Sequence, residues 1–296
     1  MQIPGYTQFT ADVTHTLWTH RSLFGLLMLI YAIVTTVFVG FASQDIYTQF
    51  SAILDESATN GGAIFQAVLL LAAGVTGGLN VQLNDVQQVY AVLIAILTWL
   101  TTVWLLRAVL SGKLPRLRDG IYNAGSPIVA TIVITLWLLV QLVPAAIGVF
   151  IFNSASATGM LDSGLIAMVV SIAVALLVVL SIYWAITSIF AIVIVTLPGM
   201  YPWQAIRASG DIVTGRRLRI VLRFAWLIGI DIIVGTIVLL PIILIDRLLT
   251  SLTDFFRYVP LVPVTMALLS SLLIVWSAAY VYMLYRKVVE DDAKPA

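Results

Sequence analysis

The sequence predicts an all-α fold, a polytopic integral membrane helical bundle of six transmembrane helices with two further amphipathic helices lying in the interface. Three observations predict it. Hydrophobic residues make up 61% of the 296 residues and charged residues 10%, with a mean hydropathy of +1.07; soluble domains are about 45–50% apolar and about 25% charged. The charges are segregated, so that Ile128 to Val140 and Leu165 to Leu180 contain none, and each run lies in a stretch able to cross a hydrocarbon core of about 30 Å. Finally, the basic residues gather at the ends of such stretches, where cytoplasmic flanks collect them.

The first element is residues 1–21, an N-terminal amphipathic interfacial segment. Over Phe9 to His20 the residues Phe9, Val13 and Leu17 share one helical face. The segment lacks a basic leader region and a small-residue cleavage motif, so the apolar run after it is expected to be retained as a span. The membrane domain, residues 22–288, then holds six spans: Ser22 to Phe41, Tyr90 to Leu110, Ile128 to Phe152, Leu165 to Thr196, Val221 to Ile245 and Leu261 to Tyr285. Ala63 to Leu79 is shorter and contains Gly74, Gly77 and Gly78; re-entrant, interfacial and spanning placements all stay open for it. Pro144, close to Gln141, and Pro241 mark expected kinks within spans.

Between the fourth and fifth spans lies the second amphipathic helix, Trp203 to Val213. Pro198 and Pro202 bracket its start, and Trp203, Ile206, Gly210 and Val213 recur at helical spacing. Gly215 lets the chain leave helical geometry before the fifth span begins. The last residues, 289–296, read as a polar tail.

Charge sets the expected orientation. With both termini cytoplasmic and Ala63 to Leu79 not crossing, thirteen of the fifteen basic residues fall inside, leaving only Arg247 and Arg257 outside. The expected location is the cell membrane. A loose internal repeat accompanies this layout: the stretch from Ala11 resembles that from Ala205, each an amphipathic stretch, a basic junction and a span.

Catalytic chemistry has few residues to draw on. There is no cysteine, and His15 and His20 are the only histidines, without a nearby acidic cluster to complete a metal site. Asp55 and Glu56 are adjacent, so their side chains diverge, and the glycine pairs lack the Lys-Ser/Thr companion of a phosphate loop. A formal net charge of +1 implies no nucleic-acid partner. The expectation is a protein that is not an enzyme, with no cofactor and no metal.

Two features carry functional candidates. Residues 201–224 hold Arg207, Arg216, Arg217, Arg219 and Arg223. Arg216, Arg219 and Arg223 recur at three and four, so they are expected to share one face of the fifth span's inner end. Such a cluster either holds the span end at the cytoplasmic surface or binds the phosphates of anionic lipid headgroups. The second feature is Asp231, about ten residues into the fifth span. An acid at that depth either serves a proton or substrate path or takes a hydrogen bond from a polar group such as Tyr183, Gln141 or Ser181.

The "AIRAS" helix followed by "TGRRLRI" at a span entrance resembles the membrane-domain family associated with glycerophosphoryl diester phosphodiesterases. The matching residues are Ala205, Ser209, Gly215, Arg216 and Arg217, and the span layout extends the likeness over most of the chain. The resemblance implies the membrane part alone, since spans and short loops occupy the 296 residues. The function expected is a non-enzymatic membrane protein that handles lipids or scaffolds a membrane partner, with membrane lipids, anionic ones included, as its partners. The alternative is a small-solute or ion transporter using Asp231.

Overall fold

The computed structural model describes residues 5–39, 85–252 and 261–292. These residues form helices, with no strand among them. In chain order the helices are α1 (Tyr6–Thr19), α2 (Arg21–Val39), α3 (Asp85–Leu110), α4 (Leu117–Ala124), α5 (Ile128–Ala157), α6 (Gly164–Ser188), α7 (Ala191–Ile194), α8 (Pro202–Val213), α9 (Arg217–Leu252) and α10 (Leu261–Asp292). A single 3₁₀ turn, Met160–Asp162, links α5 to α6. Among the described residues, six stretches are long and apolar enough to cross a membrane: Arg21–Val39, Val86–Leu110, Ile128–Ala157, Gly164–Ile194, Arg217–Asp246 and Leu261–Glu290. They coincide with the six predicted spans, so the chain is a helical, multi-pass membrane protein. The ambiguous Ala63 to Leu79 segment lies outside the described residues, as do Asp55, Glu56 and Arg257.

The chain divides into two compact units, Ser126–Phe224 with Leu284–Ala296, and Gln2–Gly125 with Ala225–Met283. In the first unit α5 and α6 form an antiparallel hairpin packed along its length. Gln141, Gly148 and Ala155 are buried on α5 at intervals of seven residues, as are Ser181 and Ser188 on α6. A seven-residue repeat keeps one seam of a helix turned toward its neighbour. At Gly148 a Cβ would already touch Leu177 and Val174 at 3.5 Å, so the two backbones approach closely there. Pro144 breaks the hydrogen-bond ladder of α5. The N–H of Ala145, next along, donates instead to Ser181 Oγ at 2.8 Å.

The fourth span, expected over Leu165 to Thr196, is present as Gly164–Ile194. Within it α6 stops at Ser188 and a further turn, α7, follows at Ala191. Phe190, fully buried in the break, packs its ring against Phe224 and Tyr285 at 6.4 and 6.0 Å. No Pro or Gly stands at the break, and both its residues, Ile189 and Phe190, keep right-handed helical dihedrals.

In the second unit α2 lies along α3, and α4 folds back on α3. Tyr31 and Thr101 share a buried hydroxyl–hydroxyl bond of 2.9 Å across the first pair. A core of Leu239, Ile243, Val262, Met266, Leu269 and Leu273 joins α9 and α10 within this unit. The helix α1 buries Phe9, Val13 and Leu17, as predicted, and Phe9 meets Tyr280 edge-on at 4.9 Å. Its hydroxyls also serve as acceptors: Trp226 donates to Thr10 at 3.1 Å and Trp276 to Thr14 at 3.2 Å. The helix α4 was not expected, and its eight residues are too few for periodicity to declare.

Candidate functional site

The arginine-rich segment is built from α8, a three-residue turn, Thr214 to Arg216, and the start of α9. Tyr201 caps α8 in an extended conformation, its N–H facing Gln204 Oε1 at 3.4 Å. Pro202 follows at the first helical position, where a missing N–H costs nothing. Ala205, Ser209 and Val213 form the buried stripe of α8. Their small size lets the helix lie close against its neighbours, and Ser209 Oγ donates to the carbonyl of Thr187 at 2.8 Å. The other side presents Trp203, Tyr201 and Arg207, all exposed.

Gly215 takes φ +79°, a left-handed conformation that a side chain would strain. The chain reverses there, and Ile220 N–H bonds to Arg216 C=O at 3.2 Å. Arg216 therefore stands just before α9, which begins at Arg217.

This corrects the expectation that Arg216, Arg219 and Arg223 share a face. Arg219 is exposed, Arg216 and Arg217 are half-buried, and Arg223 is only 6% exposed, on the stripe that also buries Ile220 and Leu227. The positions were spaced for a common face, but the helix starts one residue too late to hold Arg216. Arg216 instead points a guanidinium N–H at the Val288 carbonyl, 3.5 Å away.

Two of the arginines lie over aromatic rings. The guanidinium carbon of Arg217 stands 4.3 Å from the Tyr183 ring centre, and that of Arg207 stands 5.5 Å from the Trp203 ring. Trp203 meets Trp137 edge-on at 5.8 Å. A ring below a guanidinium favours its positive charge. It occupies a face of the planar group, while the N–H edge, the part that binds phosphate or carboxylate bidentately, stays in plane. The Nε of Arg217 is shielded from solvent and has no hydrogen-bond partner. Tyr183 and Trp203 were not predicted as parts of this site. The signal available was the enrichment of Tyr and Trp at headgroup depth near span ends.

Asp231 belongs to a different place. It is half-buried, and its Oδ2 accepts from Ser277 Oγ at 3.0 Å, while Oδ1 is buried with no hydrogen-bond partner. Ser277 was not among its expected partners. Tyr183 lies under Arg217, and Ser181 takes the Ala145 N–H. Gln141, with its amide oxygen turned toward the donors, accepts from Trp137 Nε1 and Ser188 Oγ at 2.9 Å each and donates to Trp184 O at 3.2 Å. Ser181 and Gln141 therefore serve the α5–α6 seam, and Tyr183 serves Arg217. Among the described residues, no three His, Asp or Glu side chains converge as metal ligands would.

No family model, curated protein or solved structure matches this chain.

Proposed function

We propose that the protein is a non-enzymatic membrane module that handles lipids or scaffolds a membrane partner, and that it binds anionic headgroups at the α8–α9 junction. The observation that carries this is the pair of guanidinium groups lying over aromatic rings, Arg217 over Tyr183 and Arg207 over Trp203. A lipid phosphodiester has the negative, planar-compatible oxygens that such an edge binds. Arg216 and Arg219 stand beside Arg217 in sequence and add positive charge, and the buried Arg223 lies one turn beyond Arg219. The likeness to the membrane-domain family associated with glycerophosphoryl diester phosphodiesterases supports the same reading. Ala205, Ser209 and Gly215 make the close-packed helix and turn, and Arg216 and Arg217 follow directly. Charge patterning supports a cell-membrane location with both termini and this junction cytoplasmic.

Native mass spectrometry of gently extracted protein tests the reading. Wild type is expected to retain anionic phospholipid. Charge-assisted hydrogen bonds contribute about 1.5–3 kcal/mol each, so Arg207→Gln with Arg217→Gln should lower retention roughly ten-fold or more. Unchanged retention in a variant with Arg207, Arg216, Arg217 and Arg219 all changed to Gln would discard it.

One observation favours a second reading, transport of a small solute or ion: the partnerless Oδ1 of Asp231 at depth in a span. Transport through Asp231 requires that Asp231→Asn abolish flux in proteoliposomes. Equal flux in the variant and in empty vesicles' background-corrected wild type leaves Asp231 as a structural acceptor for Ser277.

A further inference from the structure

We infer that the segment Lys113 to Tyr122 is a second membrane contact, an interfacial anchor that docks on the anionic headgroup layer of the bilayer the chain spans. The end of α3 directs it outward. Gly112 takes φ +76°, its N–H bonding to Val109 O at 2.9 Å and that of Lys113 to Ala108 O at 3.0 Å. These two bonds form a Schellman motif, which terminates a helix and turns the chain. Pro115 and the extended Arg116 then start α4.

The depth of α4 follows from what it packs against. A Cβ on Gly120 would come within 2.8 Å of Leu105 and 3.3 Å of Thr101, so α4 lies directly on the last turns of α3. Leu105 is five residues before Leu110, the end of that span, which at 1.5 Å per residue is about 8 Å along the axis. An interfacial helix sits within about 5–10 Å of the headgroup boundary. The contact face of α4, Gly120 and Ala124, is buried.

The remaining surface has the composition of an anchor. Leu114 and Tyr122, 94% and 84% exposed, are the two most exposed large apolar side chains among the described residues. Between and beside them stand Lys113, Arg116 and Arg118, all exposed, against the single acid Asp119. Apolar and aromatic tips interleaved with basic groups suit the acyl–headgroup boundary of an anionic leaflet. The charge complements that leaflet, and the continuity with α3 holds the segment beside it. The arginines of the α8–α9 junction take no part, so the two contacts can fail independently.

The chain has no cysteine, so Leu114→Cys and, separately, Tyr122→Cys each give a unique site for an environment-sensitive fluorophore on the full protein. The labelled proteins are reconstituted in phosphatidylcholine vesicles with or without phosphatidylglycerol, and quenching by neutral acrylamide is measured. Both labels should be roughly two-fold less quenched in the phosphatidylglycerol vesicles. Adding Lys113→Gln, Arg116→Gln and Arg118→Gln should erase that difference, with an unchanged helical circular-dichroism spectrum. Equal quenching in the two vesicle types overturns the inference. So does shielding that survives the triple substitution, or shielding that falls as protein is diluted at constant lipid, which would mark a second copy as the cover.

Discussion

The helices α1 and α8 share a pattern and differ in how they dock. Each is short and precedes a span, and each buries a stripe at i, i+4 and i+8: Phe9, Val13 and Leu17 in α1, Ala205, Ser209 and Val213 in α8. Each also sets an arginine over an exposed tryptophan, Arg21 over Trp18 at 5.6 Å and Arg207 over Trp203 at 5.5 Å. The stripe of α1 is made of large side chains, which fill space; Phe9 reaches Tyr280 edge-on. That of α8 is small, so the helix comes close enough for Ser209 to bond a backbone carbonyl of α6. One amphipathic spacing thus serves two packing chemistries, volume filling and close approach, as it does generally in soluble and membrane helix contacts.

The largest effect should come from emptying the filled stripe. Phe9→Ala removes a fully buried ring. Such truncations cost about 3–5 kcal/mol, and the low end is expected here because an undocked α1 would rest in the interface, not in water. A thermal melt in detergent should show the loss. Protease accessibility near Thr10 and Thr14 should rise with it, because their bonds to Trp226 and Trp276 hold only while α1 is docked. A melt unchanged from wild type would mean that α1 is held by its hydroxyls and not by its stripe.

The same contrast separates what the sequence made legible from what it did not. Spans are declared by apolar length alone, because an unsatisfied backbone in lipid must be helical, and all six were found. The stripe of α1 was legible because large apolar residues at a spacing of four leave one reading. Within α8, Ser209 and Ala205 carry no hydrophobic signal, and their burial follows from the neighbours they meet, α7 and α6. The break at Phe190 carried no signal either, because neither Pro nor Gly stands at it. At the candidate site, the five arginines and the turn at Gly215 were visible. What was hidden was the residue at which α9 begins, and with it the separation of Arg216 from Arg219 and Arg223. The partner of Asp231 was hidden too. Several spans offer a hydroxyl or amide, and only packing selects Ser277.

The smaller test lies in the close-packed stripe. Ser209→Ala keeps the volume that lets α8 approach and deletes only the hydroxyl that donates to Thr187 O. A single neutral hydrogen bond contributes about 0.5–1.5 kcal/mol net, and measured interhelical bonds in membranes average about 0.6 kcal/mol. A melt displaced by roughly that amount, with lipid retention at the α8–α9 junction intact, is the expected result. It would show that smallness, not the hydrogen bond, positions Arg207. A loss as large as that of Phe9→Ala would reverse the comparison: the single hydroxyl would then hold α8 as firmly as a whole aromatic ring holds α1. The serine of the "AIRAS" stretch would have to be read as a fastening for the arginines beside it.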